Sequence, residues 1–198
     1  MTSSDRNRKT KGKSETRRSE TKSSKARPSA ARPRNVLFRP DRMTYVRKLV
    51  PTKGCVFCSA AEAQMSLETL CIHKTKSSMI LLNKFPYNPG HLLVLPRAHC
   101  GNLLKLSDSE YQDLHQTLRV ALVAIEKIYL PAGVNLGMNH GEASGAGIPN
   151  HIHYHLVPRW VGDLNFFPLI AETKVVVETL EQTYTRFVEY FKTVGVSP

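Results

Sequence analysis

Apolar residues along this chain come in three patterns, short unbroken runs, a helical rhythm and a strand-like alternation, and the pattern predicts the element. Met79-Ile80-Leu81-Leu82 and Leu92-Leu93-Val94-Leu95 are wholly apolar, as short strands covered on both faces are. Between them, Asn83-Lys84-Phe85-Pro86-Tyr87-Asn88-Pro89-Gly90-His91 is punctuated by Pro, Asn and Gly, so the pair reads as two buried strands joined by a compact loop. Further on, Ser107 stands three residues before Glu110, the reciprocal capping pattern, and Tyr111, Leu114, Leu118, Leu122, Ile125 and Tyr129 follow at helical spacing. That helix should end before Pro131 and Gly133. Val134-Asn135-Leu136-Gly137-Met138 alternates as a strand does, the small residues from Gly141 to Gly147 predict a flexible turn, and Leu180, Tyr184, Phe187 and Phe191 predict a closing amphipathic helix. Helices and strands do not alternate regularly, so the expected fold class is an antiparallel α+β domain and not a doubly wound sheet.

Charge changes the picture only at the left end. Of the formal net charge of +12 on 198 residues, residues 1–34 carry +9, from twelve Lys and Arg against three acids, and the rest of the chain is mildly basic at +3. With almost nothing apolar before Val36, this stretch cannot bury enough surface to offset its chain entropy. The expected organisation is therefore a disordered basic tail over residues 1–34 and a single domain over 35–198, with Leu37 to Lys48 as an arm packed on it. The tail reads as a solubilising segment, or else as a polyanion-binding arm or nuclear signal. Its many lysines and the acids Asp5, Glu15 and Glu20 speak against an organellar leader. No stretch is apolar enough to span a bilayer and no hydrophobic region follows Met1, so the expectation is a soluble cytoplasmic protein with no membrane partner.

The chemistry concentrates in Asn150-His151-Ile152-His153-Tyr154-His155-Leu156-Val157-Pro158-Arg159-Trp160. In a strand, successive side chains alternate between faces, which sends Ile152, Tyr154 and Leu156 into the core and His151, His153 and His155 out together on the other side. An imidazole titrates near neutrality and serves as nucleophile, acid, base or metal ligand, so three on one face make a chemical site. Four cysteines are too few for a disulfide framework in a chain of this length. Cys55-Val56-Phe57-Cys58 has the spacing of half a metal site, a spacing equally compatible with redox chemistry or with two idle thiols.

The histidine run resembles the signature of the histidine-triad superfamily of nucleotide hydrolases and transferases, and the resemblance extends over about Cys55 to Trp160. The Asn83–His91 loop is similar to the family's nucleoside-binding hairpin, and Asn139-His140-Gly141 stands where its phosphate-contacting Asn-x-Gly does. Gly145-Ala146-Gly147-Ile148-Pro149-Asn150 and Pro158-Arg159-Trp160-Val161-Gly162-Asp163-Leu164-Asn165-Phe166 most resemble the bacterial diadenosine-tetraphosphate phosphorylases and hydrolases of the Fhit-like branch. This resemblance implies an antiparallel sheet with a long helix and a C-terminal helix. It makes His153 the nucleophile that forms a nucleotidyl-imidazole intermediate, and His155 the partner of the phosphate oxygens or leaving group. Asn139 and the backbone near Gly147 and Ile148 become further phosphate donors, although Ile148 lacks the hydroxyl many members have there. Asn83 is placed on the ribose, where an Asn could equally cap the turn, and Leu81 and Leu93 pack on the base. In zinc-bearing members the matching positions Cys55, Cys58, His99 and His151 form a structural site. Otherwise His151 is a supporting hydrogen bonder in the catalytic row, and the thiols stay free.

The implied activity is cleavage of a dinucleoside polyphosphate, diadenosine tetraphosphate, at the α-phosphate. The acceptor is inorganic phosphate or water, and Arg159 or Trp160 are candidates to shape the acceptor pocket. The implied assembly is a homodimer with no organic cofactor. Two other readings compete with this one. The first is a nucleoside phosphoramidate hydrolase of the Hint-like branch, and the second a zinc-stabilised nucleic-acid-binding protein acting through its basic tail.

Overall fold

A computed structural model describes residues 54–163 and 177–195. The basic tail, the Leu37 to Lys48 arm and the end of the Trp160-containing motif at Asn165 and Phe166 lie outside these residues. The elements run α1 (Val56–Glu62), β1 (Cys71–Lys74), β2 (Ser78–Leu82), β3 (Leu92–Pro96), α2 (Asp108–Tyr129), β4 (Gly133–Met138), β5 (Tyr154–Arg159) and α3 (Leu180–Thr193). The five strands form one sheet in the order β1-β2-β3-β5-β4 with every neighbouring pair antiparallel, so the expected α+β architecture is found.

The apolar runs are continuous because the sheet is covered on both sides. On one side Ile80, Leu82, Leu92, Val94 and Leu156 pack against Leu114, Ala121, Ala124 and Ile125 of α2 and Phe187 and Phe191 of α3. On the other side Met79, Leu81, Leu93 and Leu95 meet Phe57, Ala60 and Ala61 of α1. Fully buried side chains such as Ile80, Leu92 and Leu156 each contribute on the order of 1.5–3 kcal/mol. On the α1 side Leu81 and Leu93 form the floor of a cavity.

Helix α2 begins as its sequence dictates. Ser107 Oγ accepts from the Glu110 amide while the Glu110 carboxylate accepts from the Ser107 amide, a closed capping box. It ends at Leu130 in the left-handed conformation, φ 44°, immediately before Pro131. Its buried face is rotated from the expected stripe: Leu114, Thr117, Ala121, Ala124 and Ile125 are buried, Tyr111 is exposed, and Leu118 and Leu122 lie at the margin. Small side chains at Thr117, Ala121 and Ala124 let the helix axis sit close on the sheet. In α3 the Thr179–Gln182 box repeats the capping device, and Phe187 and Phe191 are buried as expected.

The histidine strand departs from expectation. Strand β5 starts at Tyr154, and residues 151–153 are not part of it. The path ahead of it is held elsewhere: the Ile152 amide donates to the Cys100 carbonyl at 2.7 Å, and the His151 amide to the Ile148 carbonyl at 3.3 Å. Gly101 lies against this segment so closely that an added Cβ would stand 2.8 Å from the Pro149 oxygen. The three imidazoles therefore do not form one even row. Elements α1 and β1 were not anticipated. In β1 a bulge between Cys71 and His73 buries three successive residues and erases the alternation. Among the described residues no helix is long and apolar enough to cross a membrane.

His73 is the buried polar group this bulge creates, 7% exposed, stacked on Phe191 at 5.3 Å and with its Nδ1 lacking a hydrogen-bond partner. Burial holds its pKa below the usual imidazole value, while the charge of Asp113 pulls weakly the other way. The unfolded chain thus takes up this proton more readily, so the stability at stake is full above about pH 6.5 and is lost as pH falls through that value toward the native pKa. His73→Phe is expected to shrink the drop in urea midpoint between about pH 7.5 and about pH 5.5. An undiminished drop would assign the sensitivity to other groups.

Candidate functional site

A cavity of about 530 Å³ opens on the α1 side of the sheet, lined from below by Leu81 and Leu93 and at one end by His153 and His155. Asn83, Asn139, Gly147 and Ile148 also line it, so every residue expected to contact a nucleotide reaches one space. Its wall includes Val56, Phe57 and Ala60 of α1, a helix whose place in the site the sequence did not reveal. The largely apolar lining with a few convergent polar groups suits a nucleoside with its phosphates near the histidines.

The tautomers of the histidines follow from fixed main-chain partners. His153 Nδ1 lies 2.9 Å from the His151 carbonyl oxygen, so Nδ1–H donates and the Nε2 lone pair is left for a nucleophilic role. Burial lowers the His153 pKa and keeps the ring neutral, opposed by that carbonyl bond. His91 was not anticipated beyond its place in the Pro-Gly-His turn. It is buried, its Nδ1 accepts from the Tyr87 amide at 3.1 Å, and its Nε2 lies 3.0 Å from His155 Nδ1. With Nδ1 accepting, a neutral His91 donates from Nε2, which makes His155 Nδ1 an acceptor and places the proton of a neutral His155 on Nε2. Tyr87 stacks over His155 at 6.4 Å and 22°.

Asn83 serves the turn and also borders the cavity. Its Oδ1 accepts from the Phe85 amide at 2.9 Å, capping the turn, and the residue still lines the cavity. His115, outside the expected pattern, is tied to the Tyr154 hydroxyl at 3.1 Å, and His140 donates toward Asn102 Oδ1 at 3.1 Å; neither lines the cavity.

His151 turns away from the cavity. Its Nε2 donates to the Pro96 carbonyl at 2.8 Å, and its Nδ1 faces Cys55 Sγ at 3.4 Å and Cys58 Sγ at 3.7 Å. His99 Nδ1 reaches Cys58 Sγ at 3.2 Å, and one ligand atom from each of Cys55, Cys58, His99 and His151 falls within 4.8 Å of the others. Tetrahedral zinc with two sulfur and two nitrogen ligands separates them by about 3.3–3.8 Å. The three closest spacings, 3.2, 3.4 and 3.7 Å, lie close to that range, and the Pro96 bond fixes the His151 tautomer as an outer-shell partner does. Burial lowers the His151 pKa and leaves Nδ1 unprotonated; burial, and then the Cys55 thiol, raise that of Cys58. These four residues could hold a metal ion.

Arg159 and Trp160 take no part in the cavity lining. Arg159 donates from Nε and Nη2 to the two oxygens of Asp163 at 2.7 and 2.9 Å, and Asn88 Nδ2 donates to Asp163 Oδ2 at 3.0 Å and to the Pro158 carbonyl at 2.6 Å. Trp160 lies edge-on to Tyr129. The motif is thus a clasp between the Asn83–His91 loop and the end of β5. Gly90 in that loop has φ +73°, and a Cβ there would stand 2.7 Å from the Tyr129 ring.

Known proteins resemble this chain in sequence and in fold. The model of the HIT domain matches residues 64–161. The chain is 36% identical over 155 residues to the AP-4-A phosphorylase of Mycobacterium tuberculosis (strain H37Rv), covering 74% of this chain and 79% of that protein. It is 34% identical over 93 residues to the asymmetrical bis(5'-nucleosyl)-tetraphosphatase of Schizosaccharomyces pombe, covering 47% and 50%. In fold it is similar to a Zn-bound histidine triad family protein from Mycobacterium smegmatis, with a TM-score of 0.57, 22% identity, and coverage of 72% of this chain and 96% of that one.

Asp163 is the hub of the clasp, and its carboxyl is held well below the usual carboxylate range first by the Arg159 guanidinium and then by Asn88. Asp163→Ala leaves several donors without their acceptor and is expected to cost about 1–3 kcal/mol, measured by urea denaturation. Wild-type stability in that variant would refute the clasp.

Proposed function

The chain belongs to the HIT family, and from that premise we propose that it cleaves dinucleoside polyphosphates, with diadenosine tetraphosphate as substrate, through a nucleotidyl-histidine intermediate. The observation that carries this reading is the 2.9 Å contact of His153 Nδ1 with the His151 carbonyl, in a residue that lines the cavity. The Nε2 lone pair attacks the α-phosphorus, and the bond to the bridging oxygen breaks, releasing ATP. His155, with its proton on Nε2, donates to the oxygen that leaves or to the phosphate oxygens where charge accumulates. A second acceptor then takes the AMP group from His153. Inorganic phosphate gives ADP and water gives AMP; phosphate is favoured because the M. tuberculosis relative is named a phosphorylase.

In this reading Asn83 meets the ribose, Leu81 and Leu93 meet the base, and Asn139 with the backbone at Gly147 and Ile148 meets phosphate oxygens. His91 is a positioning residue that orients His155. Cys55, Cys58, His99 and His151 hold zinc, which supplies a structural tie and no reacting position. The exposed edge of β4, with Leu136 half exposed, and the exposed Tyr111 of α2 suit a homodimer. The basic tail serves separately as a polyanion-binding arm.

His153→Ala is expected to lower turnover of diadenosine tetraphosphate by at least about three orders of magnitude while leaving the circular dichroism spectrum intact; retained turnover sinks the mechanism. Chromatography of the products with and without phosphate assigns the acceptor. AMP forming at one rate in both conditions removes phosphorolysis. His91→Phe fills the same space but cannot donate to His155, and is expected to lower kcat more than it raises KM. A change in KM alone would leave His91 a packing residue.

A further inference from the structure

The metal-ligating cluster and the nucleotide cavity share two pieces of chain. Helix α1 carries Cys55 at its N-cap and Cys58 within its first turn, and Val56 and Phe57 between them, with Ala60 beyond, form cavity wall. The Phe57 ring meets His151 at 5.3 Å and His153 at 5.1 Å, edge-on to both. The second shared piece is His151, whose ring faces the thiols while its carbonyl holds the Nδ1 proton of His153. A helix of seven residues with no side-chain cap does not persist on propensity alone. It is held by the packing of Phe57, Ala60 and Ala61 and by whatever ties its two cysteines to the segment before β5.

We infer that the Cys55–Cys58–His99–His151 centre is energetically coupled to the nucleotide cavity, so that a metal ion and a nucleotide each strengthen the binding of the other through Phe57 and the His151 carbonyl. The inference rests on the nucleotide-binding reading above. An ion held by all four residues joins α1 to the His151 segment. The same junction fixes the cavity wall and the orientation of the carbonyl that positions the His153 ring. Ordering that junction once lowers the cost of the second binding event, whichever ligand comes first. The coupling is reciprocal: the factor by which metal raises nucleotide affinity equals the factor by which nucleotide raises metal affinity. Cys55, Cys58 and His99 thereby become positioning residues for a site they do not touch.

The test uses the full chain loaded with zinc and AMP as the probe. AMP affinity is measured by calorimetry before and after zinc removal, and zinc affinity by competition with a chromophoric chelator, with and without saturating AMP. The expected result is AMP binding about tenfold weaker without metal, and zinc binding tighter by the same factor with AMP present. If the zinc-free chain unfolds, the chelator competition, which starts from the folded loaded chain, still gives the factor. Phe57→Leu, which keeps all four ligands, is expected to bind one zinc per chain and to bring the factor toward one. Zinc affinity indifferent to AMP, in loaded protein that binds AMP, overturns the coupling and leaves the nucleotide reading intact. Loaded protein that binds no AMP overturns the nucleotide reading, and the coupling with it.

Discussion

One hydrogen bond organises this molecule's chemistry, the one from His153 Nδ1 to the carbonyl of His151 two residues before it. In net stability such a bond is worth about 0.5–1.5 kcal/mol, a small part of what the core supplies. Its consequence is geometric. The bond ties the His153 ring to the backbone of residues that stand ahead of the sheet ladder, where pairing in β5 is delayed to Tyr154. That delay is sustained from outside the segment, by the Cys100 carbonyl, the bare backbone of Gly101 and the Pro96 carbonyl. The alternating sequence thus presents its imidazoles to different surroundings, His151 to the thiols and His153 and His155 to the cavity.

The fold was largely legible in the sequence where local signals were redundant. Strands β2 and β3 are runs of apolar residues bounded by a loop dense in Pro and Gly, and α2 and α3 are announced by capping boxes as well as by spacing. Legibility failed where a tertiary constraint overrode the pattern. The bulge at Cys71/His73 buries consecutive residues, so β1 has no period to detect. Helix α1 is seven residues long with cysteines at its start and is too short to display a helical period. In β5 the period of two was present but did not determine where pairing begins.

The site was legible as a set of residues and less so as a set of relations. Asn83, Leu81, Leu93, Asn139, Gly147, Ile148, His153 and His155 all line one cavity, and the four metal-ligating positions assemble although they come from three parts of the chain. The role of His91 was invisible because a buried histidine that supports another has no neighbours in sequence to betray it; it becomes visible only when the loop folds back onto β5. Arg159 and Trp160, the candidates for shaping an acceptor pocket, are seen among the described residues in contact with Asp163 and Tyr129.

The groups that set the proton positions are mostly main chain: the His151 carbonyl for His153, the Pro96 carbonyl for His151, and the Tyr87 amide for His91. A carbonyl survives any replacement of its side chain, and an amide survives any but proline. Pro96 and Tyr87, which lend only main chain to these bonds, can therefore change identity without altering which nitrogen bears the hydrogen, whereas His151 is also engaged through its ring and Gly101 through its missing Cβ. What they cannot absorb is a change in count. Adding or deleting one residue between Pro96 and Gly101, or between Ile148 and Tyr154, would shift those carbonyls and amides along the chain and exchange the roles of the nitrogens. In these two segments a lineage carrying this site is confined in length more tightly than in the identity of the residues that lend only their main chain.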